Sequence, residues 1–282
     1  MISGTEYALA ALLAYGLGDF IYKQSAQAKV KPSHFLMGQA WCFCPLVVLY
    51  ALATHTLVIA LPALWGCMAG LFIFVGLHQF LRSLETGPVS ITAPVFRLNF
   101  IITALLAIAV LHEPITWLKT AGFAFALAAT WLLVAGLGRS DRAAGRTFFI
   151  QVAIATLTMG AANFFHKLGL HYGMPPETML AAQAIVFVTL ATAFTRITEG
   201  AVRPPANIWR YAVPAAIVLI GAFLFMLHGL SIGPASTLVP IAQMGFVVTS
   251  ALGIVCLGEP MTGRKGLGLL AALAALMALA FG

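Results

Sequence analysis

Long apolar runs alternate with short polar connections along the whole of this 282-residue chain. An α-helix needs about 20 apolar residues to cross a bilayer, and ten runs approach or reach that length. The pattern predicts an all-α polytopic membrane protein with ten transmembrane helices. We call the predicted helices spans 1 to 10, and they lie near residues 5–25, 34–53, 60–83, 90–111, 116–137, 148–170, 178–198, 211–231, 235–257 and 262–281.

The composition supports this prediction. Apolar residues make up 61% of the chain and charged residues 8%, with a mean hydropathy of +1.00. A water-soluble domain of this size cannot bury so much apolar surface, so we expect the lipid bilayer to cover most of the protein. The net charge is +7, but the charges lie mostly in short connections, which is typical of membrane orientation signals and not of nucleic-acid binding.

The second half of the chain repeats the first. From Leu81 to Gly122, 16 of 42 residues are identical to the residue 146 positions later. A second stretch matches at a spacing of 144, where Asp19 to Lys23 aligns with Asn163 to Lys167. We interpret this similarity as a gene duplication followed by fusion.

The duplication predicts two inverted repeats. Residues 1–137 and 148–282 each hold five spans, and a polar linker, 138–147, joins them. Because five is odd, the second repeat must insert in the opposite orientation. The connection between spans 1 and 2 contains Lys29 and Lys31, whereas its counterpart between spans 6 and 7 contains no Lys or Arg. Opposite charge bias of this kind is expected for inverted repeats, and transporters built from them bind substrate between the halves.

Basic residues also predict the orientation in the membrane. Cytoplasmic connections carry an excess of Lys and Arg, so the odd-numbered connections are expected in the cytoplasm and both termini outside. The even-numbered connections carry essentially Lys119 alone. The odd-numbered connections or their borders carry Lys29, Lys31, Arg82, Arg139, Arg142, Arg146, Arg196, Arg203, Arg210, Arg264 and Lys265.

A duplicated motif carries a family resemblance. Each repeat has a Gly-Pro-x-Ser sequence followed by a Glu-Pro pair: Gly87-Pro88-x-Ser90 with Glu113-Pro114, and Gly233-Pro234-x-Ser236 with Glu259-Pro260. With ten spans, this pattern resembles the drug/metabolite transporter superfamily, and most closely its bacterial EamA-type branch. The resemblance implies a secondary transporter that works by alternating access in the bacterial cytoplasmic membrane. Known relatives export amino acids and other metabolites, exchange nucleotide sugars or phosphorylated sugars, or take up small nutrients. Characterised relatives usually have both termini in the cytoplasm, the reverse of the orientation that the charges predict.

Other function classes lack their motifs in this sequence. There is no P-loop for ATP, and Pro114 follows His112-Glu113, so the HExxH pattern of a zinc protease is not completed. We therefore expect no enzyme activity and no cofactor. The cysteines lie within apolar runs without neighbouring metal ligands, so no metal site is expected. A flippase for a lipid or lipid-linked sugar remains the alternative function, and either a monomer or a homodimer is compatible with the pattern.

Arg97 is the sharpest candidate for substrate binding, because it lies inside span 4. An unpaired Arg at that depth costs at least ~2.5 kcal/mol on insertion scales. Its equivalent in the second repeat is Gln243, and Asn99 follows on the same span. Two interpretations are open: Arg97 binds substrate or gates its path, or it snorkels or pairs with a carboxylate such as Asp19.

The remaining candidates are polar residues on spans 1 and 3. Asp19 is either a proton-coupling site or a counter-charge for Lys23 or Arg97. His78 and Gln79 either bind substrate or form hydrogen bonds between helices. Because basic groups outnumber acidic ones among these candidates, we expect an anionic or zwitterionic metabolite, such as an amino acid, with protons as a candidate coupling ion.

Two prolines inside predicted spans are candidate hinges. Pro94 in span 4 and Pro240 in span 9 each remove one intrahelical hydrogen bond. They are either hinges or static kinks that improve packing. The Gly-Pro pairs that precede these spans, Gly87-Pro88 and Gly233-Pro234, are candidate hinges as well. Glu113 and Glu259 are expected to cap spans 5 and 10.

Overall fold

A computed structural model describes residues 3–86, 96–134, 146–200, 202–257 and 262–282. Within these ranges the chain is helical, with short connections and no β-strand. Single 3-10 turns at Leu61–Ala63 and Ala206–Ile208 precede two of the long helices. The α-helices are α1 Gly4–Gln27, α2 Pro32–Ala53, α3 Leu64–Thr86, α4 Asn99–Leu111, α5 Trp117–Val134, α6 Arg146–His171, α7 Pro176–Glu199, α8 Trp209–Ile232, α9 Ala235–Gln243, α10 Phe246–Leu257 and α11 Gly263–Ala280.

The ten predicted spans are confirmed. Residues 96–111 are the described part of span 4 and include α4, and α9 and α10 together form span 9. Residues 138–145 of the predicted linker lie outside the described ranges. Large apolar side chains such as Leu49, Ile217 and Leu270 are exposed, as expected for a surface covered by lipid. Six described stretches are long and apolar enough to cross a membrane by length and composition: Pro32–Ala53, Leu61–Phe80, Arg146–His171, Pro176–Glu199, Ala206–Ile232 and Ala235–Cys256.

Proline residues define the start of equivalent helices in the two repeats. Pro32 begins α2, and Pro176, its equivalent 144 positions later, begins α7. Proline suits the first helical position, because its missing N–H would have no intrahelical partner there. Helix α7 ends at Glu199 and is capped by Gly200, whose φ of 68° lies in the left-handed region that glycine adopts without steric cost.

Helix packing relates the repeats by a pseudo-two-fold axis. Helix α1 packs along α8, and its equivalent α6 packs along α3, the equivalent of α8. Two further pairs join equivalent helices directly, α2 with α7 and α5 with α11, and α4 of span 4 packs against α9 of span 9. Reciprocal contacts of this kind are the signature of a two-fold relation. Because each repeat holds five spans, the axis lies in the membrane plane, as in other inverted-repeat transporters.

Two close helix approaches at equivalent positions follow the same symmetry. A Cβ added to Gly16 would lie 2.6 Å from the carbonyl oxygen of Gly245, and one added to Gly160 would lie 2.6 Å from that of Asn99. The Thr249 hydroxyl donates to the Gly16 carbonyl at 3.0 Å. Its equivalent, Thr103, donates to the Gly160 carbonyl at 2.9 Å. Glycine lets these backbones meet, and a threonine hydroxyl ties each crossing, as is common between membrane helices.

Candidate functional site

A cavity of about 130 Å³ lies at the centre of the helix bundle, between the two repeats. Phe43, Phe96, Phe187 and Phe223 supply much of its apolar wall. An engineered cavity of about 150 Å³ holds benzene, so this space suits a small molecule. The polar side chains that line it are Tyr15, Asp19, Tyr22, Gln39, Arg97, Asn99, Asn163, Gln183 and Gln243.

Arg97 is paired within this cavity. Its Nη2 donates to the Asp19 carboxylate, and its Nη1 donates to Oε1 of Gln243 at 3.2 Å. The side chains of Arg97 and Asp19 are only 18% and 27% exposed, so neither snorkels to the membrane surface. The structure shows the pairing with Asp19. Arg97 also lines the cavity, and its role in substrate binding stays a prediction.

Asn99, the first residue of α4, belongs to the same group of polar side chains that line the cavity. Its Nδ2 donates to the Phe96 carbonyl at 2.8 Å, and its Oδ1 accepts from Nδ2 of Asn163 at 3.3 Å. Asn163 is the equivalent of Asp19, whereas the equivalent of Asn99 is Gly245. The repeats are thus alike in backbone and different in chemistry, because both charged side chains among the described residues that line the cavity, Asp19 and Arg97, belong to the first repeat.

Neither His78 nor Gln79 is among the described residues that line the central cavity. His78 lines a second cavity of about 320 Å³, where its ring packs against Phe194 with centroids 4.3 Å apart. Gln79 lines neither of these two cavities. The second cavity shares Leu36 with the central one. Its other residues come from the ends of α2, α3 and α7 that border odd-numbered connections, so it lies between the central cavity and that face of the membrane.

At the opposite face, Glu113 links the first repeat to the second. Its carboxylate accepts the backbone N–H groups of Ala235 and Ser236, each at 2.8 Å. Lys119 Nζ donates to the Ser236 hydroxyl at 3.2 Å. We expected Glu113 to cap its own span 5. It caps α9 in the other repeat instead, because the connection between α4 and α5 lies against the start of α9.

Lys167 links α6 to the end of α8 at the same face. Its Nζ donates to the carbonyls of Leu230, at 2.8 Å, and Gly233, at 2.6 Å. These carbonyls belong to the end of α8, where the helix leaves acceptors without intrahelical donors. A lysine charge also interacts favourably with the negative end of a helix dipole. The buried helix α9 and the end of α8 are therefore both held by charged side chains.

The chain matches the family model of the EamA-like transporter family twice, over residues 2–135 and 147–281. It belongs to the EamA-like transporter family. A solved crystal structure described only as "Crystal structure of protein" is similar in fold, with a TM-score of 0.82 and 17% sequence identity over 98% of this chain and 95% of that one. Identity at that level shows the fold alone. No curated protein matches the chain.

Membership in this family makes the chain a membrane transporter of the drug/metabolite type, with several membrane passes. The bilayer and a small-molecule substrate are its partners. Within the described residues, the EamA-like transporter has no group of three or more His, Cys, Asp or Glu side chains that could hold a metal ion.

Only one half of the proposed hinge pair can be located in this EamA-like transporter. Pro240 lies inside α9, which ends at Gln243, and α10 begins at Phe246 after a break at Met244 and Gly245. Gly233 and Pro234 form an extended connection between α8 and α9, with φ of −144° and −73°. Gly87, Pro88 and Pro94 lie outside the described residues. The hinge role stays a prediction.

Tyr15 lines the central cavity but was not among the candidates expected from the sequence. Its spacing could have shown it, because Tyr15 precedes Asp19 by four residues and therefore lies on the same face of α1. Gln39 and Gln183 occupy equivalent positions on α2 and α7. Such glutamines more often join helices, yet both reach the cavity. The sequence shows how deep a residue lies along a span, but not whether its face of the helix meets the cavity, another helix or lipid.

Proposed function

We propose that this EamA-like transporter is a secondary active transporter that moves a small zwitterionic metabolite, such as an amino acid, by alternating access. The supporting observation is the Arg97–Asp19 ion pair in the wall of a small, largely apolar cavity between the repeats. A zwitterion brings one charge of each sign to a pair of opposite charges, so the occupied cavity stays neutral. A simple anion would leave an uncompensated charge in a medium of low dielectric.

The walls favour a substrate with an apolar part. Four phenylalanines and several aliphatic side chains surround the polar group, and the volume is about 130 Å³. An amino acid with an apolar side chain combines both features. A lipid flippase needs room for a headgroup and its acyl chains, so the size of this cavity supports a small solute instead.

The proposed direction is export or exchange across the cytoplasmic membrane. Placing the basic, odd-numbered connections in the cytoplasm follows the positive-inside rule. The second cavity would then lie on the cytoplasmic side, and Glu113 and Lys167 would close the outer side. Loading of a cytoplasmic metabolite is compatible with this arrangement.

Reconstitution into proteoliposomes tests the proposal. Counterflow of radiolabelled amino acids is measured with and without a pH gradient, using empty liposomes and the Arg97→Gln variant as controls. We expect saturable accumulation of at least one amino acid with an apolar side chain. Movement of a fluorescent lipid between leaflets, without amino acid counterflow, would instead support the flippase.

A further inference from the structure

One face of α1 supplies three polar side chains to the central cavity. Tyr15, Asp19 and Tyr22 follow one another at intervals of four and three residues, so they form one stripe along the helix, and all three line the cavity. The Asp19 carboxylate accepts from Arg97, and the Tyr22 hydroxyl donates to Oε1 of Gln39 at 2.7 Å. The Tyr15 hydroxyl is the one polar group of this stripe that forms no hydrogen bond with a described residue.

The Tyr15 hydroxyl can be reached from the cavity. The Tyr15 ring packs edge-on against Phe223, with centroids 5.7 Å apart. The side chain is half-buried, and its oxygen is not one of the buried side-chain atoms that lack a partner within the described part of the chain. A hydroxyl that neither bonds to the protein nor is sealed within it is accessible to a molecule in the cavity that it lines.

The position of this hydroxyl gives it a charge preference. Tyr15 lies one helical turn from Asp19, whose carboxylate pairs with Arg97. The hydroxyl lies within Coulombic range of the Arg97 guanidinium. Because a hydroxyl both donates and accepts hydrogen bonds, and because a guanidinium repels an ammonium group and attracts a carboxylate, Tyr15 is best suited to donate to an anionic group of the substrate.

We infer that the Tyr15 hydroxyl and the Arg97 guanidinium form a carboxylate subsite, in which each donates a hydrogen bond to the carboxylate of the substrate. This subsite rests on the proposed function and assigns one end of the zwitterion. Arg97 carries five N–H donors, and its contacts with Asp19 and Gln243 engage one donor each on Nη2 and Nη1, so donors remain. Since Asp19 already balances the charge of Arg97, a second donor that adds no charge strengthens the binding of a carboxylate.

The second repeat does not duplicate this donor. The equivalent of Tyr15 is Met159, which also lines the cavity and carries no side-chain N–H or O–H group. Met159 and Phe187 pack against the apolar cluster that contains Ile73. The hydroxyl is therefore present on one side of the pseudo-two-fold axis only, and a substrate with one carboxylate has a single preferred orientation in the cavity.

Binding by matched ligands tests the subsite. Leucine and phenylalanine are compared with the amines that lack their carboxylate, 3-methylbutylamine and 2-phenylethylamine. Affinities are measured by calorimetry on the purified transporter in detergent, for the wild-type protein and for Tyr15→Phe, which keeps the ring and removes only the hydroxyl. We expect Tyr15→Phe to weaken the binding of the amino acids about tenfold, because a hydrogen bond to a charged group is lost. The binding of the amines should change less than about twofold.

The neighbouring tyrosine on the same stripe provides the control variant, Tyr22→Phe. It removes the hydroxyl that donates to Gln39 and should lower the melting temperature, because the buried amide loses its partner. Tyr15→Phe breaks no hydrogen bond between described residues and should leave the melting temperature unchanged or higher. This comparison is made without ligand, so it separates a binding role from a packing role.

The outcomes distinguish the two proposals. If neither amino acid binds or is transported by the wild-type protein, the proposed function and the subsite are both overturned. If leucine or phenylalanine binds and Tyr15→Phe leaves its affinity within twofold of wild type, only the subsite is overturned. An equal loss of affinity for the amines would also overturn it, because the hydroxyl would then act on the shape of the cavity.

The melting temperature decides where the amines bind too weakly to be measured. A fall for Tyr15→Phe as large as that for Tyr22→Phe would overturn the subsite, because the hydroxyl would then stabilise the protein itself. An unchanged melting temperature together with a tenfold loss of amino acid affinity supports it.

Discussion

Arg97 and Gln243 occupy the same position in the two repeats and contact each other, with Nη1 of Arg97 3.2 Å from Oε1 of Gln243. Two equivalent residues can touch only where the pseudo-two-fold axis passes between them. The contact therefore marks this axis at the wall of the central cavity. A rotation of one repeat against the other displaces residues near this axis less than residues far from it. Such a position suits a substrate site that must stay in place during alternating access.

The first prediction concerns Arg97 itself. Arg97→Gln should abolish most transport while the protein still inserts and folds, because glutamine keeps hydrogen bonding and loses the charge. Arg97→Lys should recover only part of the activity, since a single ammonium cannot replace the planar fork of guanidinium. Counterflow in proteoliposomes measures both variants. Normal transport by Arg97→Gln would contradict a binding role.

The ion pair also predicts a non-additive effect on stability. Asp19→Asn or Arg97→Gln alone leaves a partly buried charge without its partner and should lower the free energy of unfolding by about 1–3 kcal/mol. The double variant removes both charges and should cost less than the sum of the single changes. Thermal unfolding of the four proteins in one detergent gives the coupling energy. Strict additivity would mean that the pair contributes no interaction.

Asp19 carries the prediction on proton coupling. It is the one carboxylate among the described residues that line the central cavity, so it is the candidate to accept a proton and release Arg97. Asp19→Asn should abolish the stimulation of net transport by a pH gradient while exchange of substrate across the membrane persists. Uptake is compared with and without the gradient. A variant that keeps full stimulation would show that protons couple elsewhere or not at all.

The fold could be predicted because the bilayer imposes it. Membrane thickness sets the helix length, and the odd number of spans in each copy sets their opposite orientation. The Arg97–Asp19 pair was one of two open possibilities, because periodicity shows how deep a residue lies and not which helix it faces. Glu113 illustrates the limit of local patterns. A Glu beside a helix start suggests a cap for that helix, but the donors it meets belong to Ala235 and Ser236, far away in sequence.

Close packing at Gly16 predicts a sharp steric effect. A Cβ there would lie 2.5 Å from Cβ of Val248 and 2.6 Å from the Gly245 carbonyl oxygen. Gly16→Ala should therefore lower the free energy of unfolding by about 1–3 kcal/mol. The matched control is Gly221→Ala within α8, where the nearest atom is 4.0 Å away. That change should be neutral or stabilising, because alanine is a better helix former than glycine.

The hydrogen bonds of Glu113 to α9 predict a loss of stability when its carboxylate is replaced by an uncharged amide. Glu113→Gln weakens two hydrogen bonds to the start of α9, and removing a helix cap typically costs about 0.5–2 kcal/mol. The exposed Glu6, which accepts from the Ser3 backbone N–H at 2.6 Å, provides the control. Glu6→Gln should change the melting temperature less, because water can replace that bond. Equal effects would mean that Glu113 does not tie the repeats together.

Orientation is tested by the accessibility of two introduced cysteines. Ala28 lies in the connection between α1 and α2, which the basic residues place in the cytoplasm, and Tyr172 lies in the connection between α6 and α7, on the other side; both are exposed. In a background that lacks the four native cysteines, a membrane-impermeant maleimide added to intact cells should label Tyr172→Cys and spare Ala28→Cys. Permeabilised cells should show both labelled, which controls for reactivity. The reverse labelling pattern would place both termini in the cytoplasm, as in characterised relatives, and the second cavity would then open outward.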